Sequence, residues 1–203
     1  MDRLHIRTNI IKAIKASLDG YKFLNKLCYN DLFAFCKHLE DIYYSYIVIR
    51  VNQPTLINVS LWVGPIDRPD DGLYGLSANL ELNIIRNIPY DNQLLEICIN
   101  RLKNILDSDI LSKLIIASKK ELSIPSFGIE RNCIYNNFLF PFFQSTIAKC
   151  NDIAILRNKK KIAPVIIEIY NELNPEQKKF FHKIGKDETV NMIWELCYIY
   201  SYK

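Results

Sequence analysis

Between Ile42 and Ile85 two strands of alternating apolar and polar side chains flank a loop rich in Pro, Gly and acid, Gly64-Pro-Ile-Asp-Arg-Pro-Asp-Asp-Gly72, and their period of two predicts a half-buried antiparallel sheet. Ile42 to Val51 is β-branched and aromatic and ends at Asn52-Gln-Pro54, which reads as a hairpin. In the returning strand Ile57, Val59, Leu61 and Val63 point one way, and Asn58, Ser60 and Trp62 the other. A later strand repeats the code, with Leu76, Ala78, Leu80, Leu82 and Ile84 on one face and Ser77, Asn79, Glu81 and Asn83 opposite. One polar face sustained this long means a sheet with a single side on the core, not a parallel sheet buried on both. Upstream, Phe33 and Phe35 alternate with Ala34 and Cys36 in a further strand that precedes the polar turn His38-Leu-Glu-Asp41.

Helical spacing flanks the strands. Thr8-Asn9 predicts the cap of a first helix with a stripe of Ile10, Ile11, Ile14 and Leu18, and Gly20 is its left-handed stop. After Pro89 the pattern stays helical. Asp91 or Asn92 starts a helix carrying Leu94, Leu95, Cys98, Leu102, Ile105 and Leu106, and Ser108 caps one carrying Leu111, Leu114, Ile115 and Leu122. Ser123 to Asn137 is irregular, with a short strand around Ile129 to Tyr135. The aromatic run Phe138 to Phe143 enters a helix at Pro141, Pro164 and Pro175 occupy first helical positions, and Asn174 caps. Asp187 starts a last helix that buries Val190, Ile193, Trp194, Cys197 and Tyr198. Strands before Pro89 and helices after it predict one α+β domain: residues 1–88 form an N-terminal helix and a four- or five-stranded antiparallel meander, packed with a helical half, residues 89–203.

Composition narrows the function without naming it. The 203 residues are 49% apolar and 24% charged, an ordinary globular balance. The net charge of +4 is split as −1 over residues 1–100 and +5 over residues 101–203, with a basic run Arg157-Asn-Lys-Lys-Lys161 that reads as a solvated helix end. Six dispersed cysteines without a Cys-x-x-Cys pair read as buried thiols of a reducing compartment. No apolar run spans a bilayer and the N-terminus lacks a signal-peptide core, so a cytoplasmic, non-membrane protein is expected. Abundant Tyr, Phe, Ile, Asn and Lys with little Gly suits a bacterial, AT-rich genome.

The search for chemistry finds little. His5, His38 and His182 are far apart without ligand spacing, so no metal and no cofactor is expected, and there is no nucleophile elbow, phosphate loop or dinucleotide fingerprint. Pro69-Asp70 followed by Glu81-Leu-Asn83 resembles the Pro-Asp…(Asp/Glu)-x-Lys pattern of metal-dependent nucleases, in which carboxylates hold Mg²⁺ and a lysine helps to activate water. Asn83 stands at the lysine position and cannot carry its charge. The other candidate is the polar sheet face, with Tyr44, Tyr46, Arg50, Asn58, Ser60, Trp62, Asn79, Glu81 and Asn83. Tyr, Trp and Arg there suit a protein interface or RNA bases, although the N-terminal half is not basic and Glu81 opposes phosphate; alternatively helices cover the face and make it a second core.

In its order of elements the chain resembles small bacterial immunity proteins encoded beside polymorphic toxins: a helix over Asn9 to Asp19, the turn Gly20-Tyr-Lys-Phe23, a meander from Phe33 to Ile85, then helices. That resemblance implies a non-enzymatic cytoplasmic protein that binds and neutralises a toxin domain; from composition and charge no membrane partner is expected, and nucleic acid is disfavoured as a partner. On this view Trp62, Asp67, Arg68, Asp70, Asp71, Tyr74 and Glu81 are the partner-binding residues, Trp62 and Tyr74 anchoring and the acids facing a basic nuclease toxin. The nuclease using Asp70 and Glu81 and the RNA-binding module using the aromatic sheet face stay open as alternatives.

Overall fold

The alternating stretch forms a five-stranded antiparallel meander whose spatial order follows the chain. In the computed structural model, which describes residues 3–28, 31–52, 55–67, 80–123 and 135–203, the strands are β1 (Lys22–Phe23), β2 (Leu32–Glu40), β3 (Tyr43–Asn52), β4 (Leu56–Pro65) and β5 (Leu80–Pro89). Leu76 to Asn79, expected in the last strand, lie outside the described residues. The predicted polar turn joins β2 to β3, where Asp41 takes a positive φ of 46° and the Asp41 carbonyl lies 3.0 Å from His38 Nε2.

One face of the sheet is the core face the alternation predicts. Phe33, Phe35, Ile47, Ile49, Ile57, Val59 and Leu61 form a single buried cluster with the stripes of two helices, α1 (Arg3–Ser17) and α2 (Asn92–Leu106). Inside that layer the Tyr21 hydroxyl pairs with Ser45 Oγ at 2.7 Å, so neither buried hydroxyl is left unsatisfied. Helix α1 starts earlier than expected. Thr8 is not a cap; its Oγ1 donates to the Leu4 carbonyl at 2.8 Å within the helix. The reason is that Ile6 extends the Ile10, Ile14 and Leu18 stripe by a turn, and all four are buried. Gly20, with φ 80°, ends the segment as expected. Asp91 caps α2, its Oδ1 accepting from the Leu94 N–H at 2.6 Å, and Ser108 Oγ accepts from the Ile110 N–H at 3.2 Å at the start of α3 (Ile110–Ser123).

By internal contacts the chain gathers into two compact units, the described residues of 1–65 and 78–124 forming the first and residues 66–67 and 135–203 the second. The second is helical: a π-helical turn (Tyr135–Leu139) leads into α4 (Phe140–Lys149), followed by α5 (Ile153–Leu156), α6 (Lys159–Glu172), α7 (Pro175–Ile184) and α8 (Lys186–Tyr200). The strand expected from Ile129 falls outside the described residues until Tyr135, which opens the π-helical turn. Phe142 and Phe181 meet edge to face at 5.2 Å, and Phe143 meets Tyr200 at 5.7 Å, so the aromatic run supplies this unit's core. Pro175 is a first-turn proline behind a full Asn174–Gln177 capping box. Pro164 is not; it lies inside α6, where Asn158 caps the Lys160 and Lys161 N–H groups. The interior proline cannot supply the N–H that the Lys160 carbonyl would otherwise accept, and Lys160 is exposed, within reach of water, which keeps the penalty small.

The basic run divides by role. Lys159, Lys160 and Lys161 are exposed on the first turn of α6. Arg157 is structural: Nε donates to Ser201 Oγ and Nη2 to the Ser201 carbonyl, each at 2.9 Å, and the guanidinium stacks 4.2 Å from the Tyr202 ring. Cys28, Cys36, Cys98, Cys150 and Cys197 form no disulfide, and all but Cys28 are buried; Cys133 lies outside the described residues. The element order is the α+β order expected: helix, antiparallel meander, helical C-terminal half.

Candidate functional site

Opposite the core face, the sheet surface splits into two regions. At the Tyr44 end, Tyr46 pairs across the ladder with Trp62 and Tyr44 with Gly64, and the rings of Tyr44 and Tyr46 stack at 6.1 Å. Both tyrosines are fully buried and Trp62 is 7% exposed, so this end is a second packed layer. No base can stack on Tyr44 or Tyr46, which removes the surface an RNA-binding sheet would need.

The other end is open and lined mainly by polar groups. Its shape comes from two irregularities in β5. The ladder runs Trp62 to Glu81, Leu61 to Leu82 and Ser60 to Asn83, then jumps to Val59 with Ile85 and Ile57 with Ile88. The first jump inserts Ile84, so Ile84 and Ile85 are both buried although adjacent. The second sets Arg86 and Asn87 together against Asn58, two residues opposing one. Asn87 takes a φ of 51°, the left-handed region. Its N–H donates to Asn58 Oδ1 at 2.7 Å, and Asn58 Nδ2 returns a bond to Asn87 Oδ1 at 3.1 Å. From α2, Arg101 Nη1 donates to the Ile84 carbonyl at 3.1 Å at the first irregularity.

These strands enclose a cleft of about 500 Å³. Strand β3 contributes Arg50 and Asn52, β4 contributes Asn58 and Ser60, and β5 contributes Glu81, Asn83, Arg86 and Asn87. At the base Ser60 Oγ donates to Glu81 Oε1 at 2.6 Å and lies 3.4 Å from Asn83 Oδ1. A charge-assisted bond this short takes the hydroxyl proton, and it holds the carboxylate against the sheet. Two guanidinium groups therefore face one engaged carboxylate over a floor of amides. Such a lining recognises polar groups by hydrogen bonding and charge; it offers little apolar surface for a small hydrophobic ligand.

The expected partner-binding residues are distributed unevenly. Glu81 lines the cleft. Trp62 is buried, and its indole Nε1 has no hydrogen-bond partner among the described residues. Asp67 is also buried, at 5% exposure. Arg68, Asp70, Asp71 and Tyr74, like Asn79, lie outside the described residues. Of the polar sheet face, Arg50, Asn58, Ser60, Glu81 and Asn83 are brought together as the alternation predicts. Asn52, Arg86 and Asn87 were not singled out by sequence. The doublet Ile84-Ile85, which breaks the period of two, is the signal that would have found the last two. Among the described residues no three His, Cys, Asp or Glu side chains gather as a metal ion requires, and no helix is long and apolar enough to cross a membrane.

For this chain of helix, antiparallel meander and hydrogen-bonding cleft, comparison with known families identifies an immunity protein of polymorphic toxin systems. The model described as Immunity protein 25 matches residues 7–130, more than half of the chain and every strand that lines the cleft; the chain belongs to that family. No curated protein and no solved structure matches it.

Proposed function

We propose that this chain neutralises a cognate bacterial toxin by binding it directly in the cytoplasm, without catalysing a reaction, and that the cleft between β3, β4 and β5 is part of the binding surface. The observation that carries this reading is an open, polar, internally braced cleft inside the segment that matches the family. Recognition by complementary charge and hydrogen bonds requires no activated group. The connection between β4 and β5, with Arg68, Asp70, Asp71 and Tyr74, adjoins Glu81 in sequence and is proposed as a further part of the same surface.

The test is to purify the chain from its native host, identify the toxin domain that accompanies it, and measure three things: a stoichiometric complex, growth rescue on co-expression, and the toxin's intact mass. Rescue with a stable complex and an unchanged toxin mass is expected. Rescue without a complex, or with a covalently altered toxin, overturns the reading. Charge reversal at Asp70, Asp71 and Glu81 then examines the acidic part of the surface. Asp67 is left out, because reversing a buried carboxylate perturbs the fold itself.

A further inference from the structure

The cleft's lining holds two cations, Arg50 and Arg86, and one carboxylate, Glu81. Glu81 is held by Ser60 at 2.6 Å. Arg86 is exposed and makes no ion pair among the described residues, and it shares the cleft with Arg50, so two like charges line one concavity. Arg50 on β3 and Arg86 on β5 flank β4, and their like charges repel across it. The backbone also yields to place Arg86 there: the inserted Ile84 shifts the alternation so that Ile85 takes the core face opposite Val59 and Arg86 the cleft face opposite Asn58, and the second irregularity, at the left-handed Asn87, adds Asn87 beside it. Left in the regular period of two, Arg86 would fall on the core face with Leu82 and Ile84.

The rest of the lining is built for a peptide rather than for a lone anion. Asn52, Asn58 and Asn83 offer primary amides, each with two donors and one acceptor oxygen, the same groups that a peptide main chain presents. Each of the three strands adds a second polar group about 7 Å along from its asparagine, Arg50 beside Asn52, Ser60 beside Asn58 and Glu81 beside Asn83, so hydrogen-bonding groups recur at the two-residue repeat of an extended chain. Glu81 within the cleft opposes a polyphosphate backbone, whereas a single carboxylate can lie on the arginine side of it.

We propose that the cleft seats an extended segment of the toxin carrying an Asp or Glu side chain, whose carboxylate is held by Arg86 and Arg50 while the asparagines bond its main chain. This rests on the toxin-binding reading above and specifies the chemistry of the bound segment. Arginine gripping a carboxylate at a desolvated contact is among the strongest anchors an interface uses.

The experiment measures affinity for the co-purified toxin domain by calorimetry, with wild-type chain, Arg86→Glu, Arg50→Glu and the milder Arg86→Gln, after checking each variant's fold by circular dichroism. Arg86→Glu is expected to weaken binding by about 100-fold or more, and Arg86→Gln by about 10-fold. A toxin variant with one interface Asp or Glu changed to Arg is expected to restore binding to Arg86→Glu. If wild-type chain binds and both the Arg86→Glu and Arg86→Gln chains bind equally well, the inference fails while the toxin-binding reading stands. If wild-type chain does not bind, the reading itself fails. Loss of wild-type binding on nuclease treatment identifies a nucleic acid as the occupant and also overturns the inference.

Discussion

Asn87 adopts a backbone that most residues avoid, in an edge strand that would otherwise be regular, and two hydrogen bonds to Asn58 hold it there. Asparagine tolerates the left-handed region better than other side chains. Asn87→Gly is therefore expected to leave thermal stability nearly unchanged, whereas Asn87→Val, β-branched and without an amide, is expected to cost about 1–3 kcal/mol in urea unfolding. Equal midpoints for the two variants would show that the positive φ carries no strain. The same residues explain what the sequence could and could not disclose about the site. Alternation alone assigns Arg50, Asn58, Ser60, Glu81 and Asn83 to one face, because a period of two needs no knowledge of neighbours. Arg86 and Asn87 join them only through a bulge, which is a property of the pair β4 and β5 and not of either strand. Trp62 and Tyr46 share that face as expected, but whether a face is covered depends on elements distant in sequence, and both are buried.

Elements were legible where a local side chain decides their ends. Asp91, Ser108 and Asn174 bond the N–H groups that the cap rules assign to them. Thr8 and Pro164 were misread for a common reason: burial of an apolar stripe, through Ile6 in α1 and through Ile162 and Ile166 in α6, carries a helix past a local stop. The ends of α1 and α7 allow a paired test of backbone against packing. Gly20 and Gly185 both have positive φ, at 80° and 94°. A Cβ on Gly20 would lie 3.1 Å from the Lys37 Cε, while one on Gly185 meets nothing within 4 Å. Alanine at either position is expected to cost about 1–2 kcal/mol, read as a lowered urea midpoint. Because the Lys37 side chain can swing away, the two losses should be similar. A loss at Gly20 several times larger would mean that Lys37 is fixed where it lies.

Across the whole molecule, the buried ionisable groups set a one-sided pH response. Burial pushes the Cys98 thiol up to about 12 from 9.0. It raises Tyr21 in the first unit and Cys197 in the second as well, desolvation of the charged form being the largest cause in each case. For Cys98 the sign follows directly. Below pH 9 the thiol is neutral in both folded and unfolded chains, so its contribution is complete and constant. Above pH 9 the unfolded thiol ionises while the folded one keeps its proton, so unfolding releases a proton and stability falls until the folded thiol also titrates near pH 12. Each such group contributes a slope of about 1.4 kcal/mol per pH unit within its window. The chain's two tryptophans divide between the units, Trp62 in β4 and Trp194 in α8, so Trp194→Phe leaves a fluorophore reporting the first unit and Trp62→Phe one reporting the second. Urea midpoints followed by the Trp62 signal are expected to hold constant from pH 7 to 9 and to drop steadily above it. The drop should become shallower in Cys98→Ala, because the variant removes the proton-releasing group whatever it does to packing. An alkaline limb of unchanged slope in Cys98→Ala would place the titrating burden of the first unit on Tyr21 instead, and Tyr21→Phe would then flatten it.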